Sequence, residues 1–393
     1  MTITYISYWG LEDGLTRSTV WPNLRVLMER PDVDRIHLFT IERGEVPSDG
    51  PPIDGVDWHP LVSEGGRGLL RQKWDDFTRF PHRIAQEPVD LIIARGAPTG
   101  GLAWLVHRRT GTPFVVESFE PHAGYMLDGG TWGRWDPRTL VQRIFERAAR
   151  RHARALITVS ENYRRHLIDT VDRLDTSNVR TAPCTVDAAA FARSDVARTD
   201  VRDRLGLDPD DVAGIYVGKF GDIYYDAESY DIFARAARFY GSRFALIILT
   251  PDDRDHVMQR CVDAGLDPDR LFVDRVPHDQ VAGFLSAADI AFCPVRPSPH
   301  RIYCSPIKTG EYWAAGLPVL IPDHIGDDSR ILRETGLGAV IRDLEPSSLD
   351  AAFRHLDTLR ARPDIHARIA DLAASHRHLD RVRDAYDHIL DRL

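Results

Sequence analysis

Lysine is nearly missing from this chain. Of its 50 basic residues only Lys73, Lys219 and Lys308 are lysine, and the rest are arginine. Cysteine is scarce as well: Cys184, Cys261, Cys293 and Cys304 show neither C-x-x-C spacing nor partnering histidines, which excludes a disulfide framework or a zinc site as an expectation. No apolar run approaches the ~18 to 20 residues that span a bilayer, and the opening MTITYISYWG lacks a basic stretch ahead of an apolar one. It reads as a first strand. Net positive charge is also lacking. A formal charge of -9 denies the chain the basic face that wrapping a nucleic-acid backbone requires. These absences lead us to expect a reduced, cytoplasmic protein without nucleic-acid partners.

What is present is regular. Short apolar runs alternate with amphipathic helical stretches: TITYISY, RIHLFTI, DLIIARG, PFVVESF and ALITVS, then GIYVGKF, FALIILT, RLFVDRV, DIAFCPV, PVLI and GAVI. Strands apolar on both faces belong to parallel sheets covered by helices on both sides. Since 393 residues exceed what one core organises, the expected fold class is α/β with two doubly wound domains facing across a cleft. The expected division is 1–186, then 187–372, with 373–393 as a C-terminal helix packing back on the first domain. Ligands gather at the carboxyl ends of such strands.

In SPIKTGEYWAAGLPV, Ser305 suits an N-cap and Pro306 the first helical position, so a helix is expected up to Ala315, stopped by Gly316. Lys308 then stands in the first turn. A cation there opposes the helix macrodipole by about 0.3 to 1 kcal/mol, so an anion should be near. A surface pair with Glu311 is the bland explanation, and a phosphate at the helix N-terminus is the sharper one.

This stretch, with VGKF at Val217 to Phe220, ADIAFCP at Ala288 to Pro294, TVDAAAF at Thr185 to Phe191 and GLGAVI from Gly336, resembles the nucleotide-binding signature of GT-B glycosyltransferases of the family 4-like group. The resemblance is strong from about Val186 to Ile341 and only architectural before that. It implies two Rossmann-like domains and a nucleoside-diphosphate sugar as co-substrate, with no cofactor and no metal. Glu311 matches the second glutamate of the family's E-x7-E element, which holds the nucleotide ribose. The first is replaced by Tyr303, which leaves the donor sugar open. Lys219 matches the basic residue facing the diphosphate, while Tyr224 and Tyr225 stand where a companion lysine is usual. The implied donor-nucleotide residues are Gly218, Lys219, Arg275, Val276, Ser305, Pro306, Lys308 and Glu311.

Earlier in the chain, YWGLEDGLTRS resembles, in position only, the family's glycine loop that abuts donor phosphate and acceptor, with Gly14 and Arg17 as the candidates there. Glu120 and His122 follow the strand PFVVESF, and the resemblance supports His122 as a sugar or acceptor contact. Trp9, Trp132 and Trp135 are candidate ligand contacts among seven tryptophans of an aromatic first half. The stretch Arg134 to Arg154 carries seven arginines interleaved with Leu140, Val141, Ile144 and Phe145, a solvated helix face or a weak peripheral membrane contact at the inner face of the membrane. D-x-D matches at Asp208 to Asp210 and Asp267 to Asp269 read as turns and caps.

The expected activity is transfer of a hexose from a nucleoside-diphosphate sugar to a hydroxyl of a small-molecule, glycan or lipid-linked acceptor. The resemblance implies retention of configuration, with His122, Lys219 and Lys308 in the catalytic machinery. A UDP-sugar epimerase or hydrolase and a non-catalytic pseudo-transferase are the alternatives.

Overall fold

The computed structural model describes residues 1–63, 69–118, 120–171 and 175–392, with the backbone alone for 69–75. The chain divides into two compact units, Met1–Pro183 together with Leu379–Leu393, and Cys184–His378.

The first unit is built on β1 (Thr2–Ser7), β2 (Arg35–Glu42), β3 (Val56–Val62), β4 (Leu91–Arg95), β5 (Phe114–Ser118), β6 (Ala155–Thr158) and β7 (Val179–Thr181). All its strand pairs are parallel, in the order β3-β2-β1-β4-β5-β6-β7. The strands β4, β5 and β6 are buried along their whole length, as strands covered on both faces must be. The two strands that the periodicity misses, β3 and β7, are the edges. Most of β3 is only half-buried and it carries Pro60, which an edge tolerates because no ladder partner needs its missing N–H. The last helix, Asp380–Leu390, buries Val382, Ala385, Tyr386 and Ile389 in the core of this unit.

The second unit contains β8 (Val212–Val217), β9 (Phe244–Leu249), β10 (Leu271–Asp274), β11 (Ile290–Phe292), β12 (Val319–Pro322) and β13 (Ala339–Ile341), all six legible as apolar runs. They lie parallel in the order β10-β9-β8-β11-β12-β13. Strand order reverses between β8 and β11, just as it does between β1 and β4 in the first unit. In open α/β sheets such reversals open a crevice beyond the strands' carboxyl ends.

Local signals set the helix ends. Asp136 accepts a hydrogen bond from the Arg138 N–H at 2.8 Å and starts the helix Pro137–His152. Asp267 likewise accepts from the Asp269 N–H at 3.0 Å, so that D-x-D match is a helical-turn cap. Among the described residues no helix is long and apolar enough to cross a membrane.

Candidate functional site

The reversal between β8 and β11 is where the second unit collects its charged and aromatic groups. Past Val217 the chain turns through Gly218 at φ 141°, a left-handed backbone, and a Cβ on Gly218 would stand 2.4 Å from the Lys308 Nζ. Glycine is required here both by conformation and by the approach of that ammonium. Two further left-handed residues, Gly221 and Asp222, fold the loop back so that Lys219 meets Asp222 at 2.9 Å. The Tyr216 hydroxyl donates to the Lys219 carbonyl and fixes the loop from below.

The helix Ile307–Ala314 supplies the other half. It starts one residue later than the sequence indicates, with Pro306 in the N-cap position and no side-chain cap. Ser305 is not the cap. Its hydroxyl accepts from the Cys184 N–H at 3.1 Å and from Arg377, whose guanidinium also meets Asp328 with both side chains almost wholly buried. Ser305 therefore ties together the segments beneath the helix instead of facing a ligand. Burial raises the Asp328 pKa, and Arg377 opposes that.

Lys308 is unusual. It is 8% exposed and its Nζ has no hydrogen-bond partner among the described residues, although buried polar groups nearly always have one. The ammonium lies 3.7 Å from the centre of the Tyr224 ring and 4.6 Å from that of Tyr216. Tyr224, which occupies the place of a companion lysine, thus cradles the lysine that is present. Burial lowers the Lys308 pKa to about 8, and the nearby Lys219 charge adds to the depression. The Cys293 thiol beside it is pushed up to about 11 by burial, so it stays neutral and supplies no counter-charge at neutral pH.

One turn on, Glu311 is equally buried, and desolvation raises its pKa against the opposing pull of His278 and Lys308. His278 Nε2 stands 3.9 Å from Glu311 Oε1 at the start of the helix His278–Ala287. The sequence reading missed His278, whose one signal was its position just after Pro277 at a strand-to-helix turn. Arg275 is exposed and Val276 half-buried in that same turn. Tyr303 is half-buried in the helical turn Arg301–Tyr303, where burial raises its pKa.

In the first unit, His122 opens the helix His122–Asp128 just past β5, with Glu120 at 3.7 Å from its Nδ1. Its ring meets Trp132 edge-on at 5.4 Å and lies 6.4 Å from those of Tyr8 and Tyr125. Tyr8, His122 and Trp132 form one wall of a cavity of about 580 Å³. Gly14 sits in open space, while Arg17 is engaged by Glu12 and stacks on Trp21. Trp9 packs edge-on against Tyr8, and Trp135 is 81% exposed beneath Arg134.

Solved structures share this fold over the whole chain. Sucrose-phosphate synthase from Thermosynechococcus elongatus superposes with a TM-score of 0.73 at 16% identity, covering 100% of this chain and 98% of the other. The fold is that of the GT-B glycosyltransferases. HepE from Anabaena, solved with UDP, gives 0.73 at 14% identity with both chains fully covered. The trehalose 6-phosphate synthase from Burkholderia multivorans gives 0.69 at 14% identity, over 100% and 99%. Residues 16–185 match the family model described as glycosyl transferase 4-like domain, the half in which the sequence offers only an architectural likeness. No curated protein matches the chain in sequence.

Proposed function

We propose that this protein transfers a sugar from a nucleoside-diphosphate sugar to an acceptor hydroxyl. The carrying observation is the buried ammonium of Lys308, without a hydrogen-bond partner among the described residues, at the carboxyl end of β8 and facing the Gly218 turn. In this reading the diphosphate takes the place of the missing counter-charge, Lys219 adds a second cation, and Glu311 accepts from the ribose hydroxyls. One structural neighbour, HepE from Anabaena, was solved both with UDP and with UDP-glucose, which supports a uridine nucleotide as the first donor to test.

The chemistry follows from where charge develops. As the bond between the anomeric carbon and the phosphate oxygen breaks, a bond to the acceptor oxygen forms and the acceptor proton passes to the diphosphate. The departing oxygen gains negative charge, and a cation already desolvated beside it stabilises that state more than a solvated one would. Those ammonium groups do the work without a metal, and retention of configuration is the outcome expected of the fold's family 4-like members. In the first unit His122, 3.7 Å from Glu120 and set among Tyr8 and Trp132, receives the acceptor. The four thiols are free, which fits a reducing compartment such as the cytoplasm. Whether the arginine-rich helix Pro137–His152 touches a membrane is a separate question, answered by sedimentation with anionic vesicles at low salt.

A thermal-shift screen with UDP, GDP, ADP and TDP tests the donor site, because a ligand bound to the native state alone raises the melting temperature. Incubation with the matching nucleotide sugar then separates the chemistries. Free nucleotide that appears only with an acceptor supports transfer; release without one supports an epimerase or hydrolase. No release under either condition leaves a pseudo-transferase, and no shift with any nucleotide removes the reading.

A further inference from the structure

The cavity of about 580 Å³ in the first unit has a lining that narrows what enters it. Apolar side chains dominate it, among them Phe77, Phe80, Leu102, Leu105, Val141 and Phe145. At this volume the space falls within the ~300 to 1,000 Å³ range of ligand pockets, far larger than the water-sized voids of a packed interior.

The polar side chains that reach the wall are already engaged within the protein. Arg138 is paired with Asp136 at 2.6 Å and Gln142 donates to Glu146 at 3.1 Å. Asp76 accepts from the Ser63 hydroxyl at 2.7 Å, and Arg109 donates to the Leu105 carbonyl at 3.1 Å. Arg109 and Arg138 keep further N–H donors, but the rest of the wall offers a buried sugar little to replace its lost water, and an unreplaced hydrogen bond is expensive. Polar contact is concentrated at the wall formed by Tyr8 and His122. On the helix Pro137–His152, positions 137, 141 and 145 recur on one face and line the cavity. Val141 also reaches solvent, at 38% exposure, and the same helix exposes Leu140 and Ile144 next to it.

We infer that the acceptor is an amphiphile. Its hydroxyl-bearing head stands at His122 and an alkyl or isoprenoid chain fills the cavity, leaving over the Val141 rim. This deepens the proposed transfer and rests on the first unit being the acceptor-binding one.

The test is a chain-length series of methyl, butyl, hexyl and octyl β-D-glucoside, titrated calorimetrically into the full chain below the micellar concentration. The head is constant, so only the tail varies. Affinity should rise by up to about fourfold for each methylene that enters the cavity. Val141→Trp and Leu105→Trp fill the space from rim and wall, and each should abolish the dependence on chain length while circular dichroism shows a folded protein. Using two variants guards against one of them failing to fold. Affinity indifferent to chain length, or a dependence surviving in both variants, overturns the inference. UDP binding is measured separately: its loss counts against the donor site, whereas loss of chain-length dependence alone counts only against the apolar acceptor.

Discussion

Raising the pH from 7 to 9 should weaken UDP binding about tenfold. With the Lys308 pKa lowered to about 8, its protonated fraction falls from about nine-tenths to about one-tenth over that interval. If the diphosphate requires the ammonium and restores its ordinary pKa when bound, affinity falls in proportion. Free nucleotide cannot mimic this trend, because a terminal phosphate with a second pKa of about 6 is already ionised throughout. The neighbours do not mimic it either. Cys293 stays protonated up to about 11, burial holds the Tyr216 and Tyr312 hydroxyls neutral, and deprotonation of Glu311 would strengthen ribose contacts, the opposite sign. Calorimetry in two buffers of different ionisation enthalpy should reveal uptake of about half a proton on binding at pH 8. Lys308→Met should flatten the profile and abolish the uptake. An affinity that is flat from pH 7 to 9 with no proton uptake refutes the assignment.

The same burial makes a prediction for stability without ligand. The folded pKa of Lys308 lies below its unfolded value of 10.5, so its penalty is fully present below pH 8 and relieved as pH rises toward 10.5, at most about 3 kcal/mol. Lys308→Met should therefore raise the melting temperature of the free protein at pH 7 while losing the rise that UDP induces. Glu311→Gln keeps shape but gives up a charged acceptor, and isothermal titration should show UDP affinity reduced by about 1.5 to 3 kcal/mol, with GDP and ADP weakened alike if ribose is the contact. Tyr224→Leu removes the ring beneath the ammonium; it should leave the fold intact and weaken UDP by up to about tenfold, read from the same titration. Arg377→Met leaves Asp328 buried without its partner, and urea denaturation should show a loss of about 3 to 5 kcal/mol with no specific change in nucleotide selectivity.

Sequence by itself determined the layered α/β class, every strand of the second unit and the placing of Lys308 and Glu311 on one short helix. Each of these is a local pattern: a run apolar on both faces, or a spacing of three residues on a helix. The tertiary structure decided what those groups meet. Ser305 reads as a cap in the sequence, yet Arg377, 72 positions away, takes its hydroxyl. Tyr224 reads as a missing lysine, yet its ring lies under the lysine that remains. His278 has no partner nearby in sequence and reaches Glu311 only because β10 and the Ile307–Ala314 helix deliver their ends to the same side of the sheet. The apolar cavity draws on residues from Tyr8 to Phe145, and no spacing rule encodes such a set. Periodicity fixes which face a side chain takes on its own element; which foreign side chain it then meets depends on strand order, and strand order is a property of the folded chain.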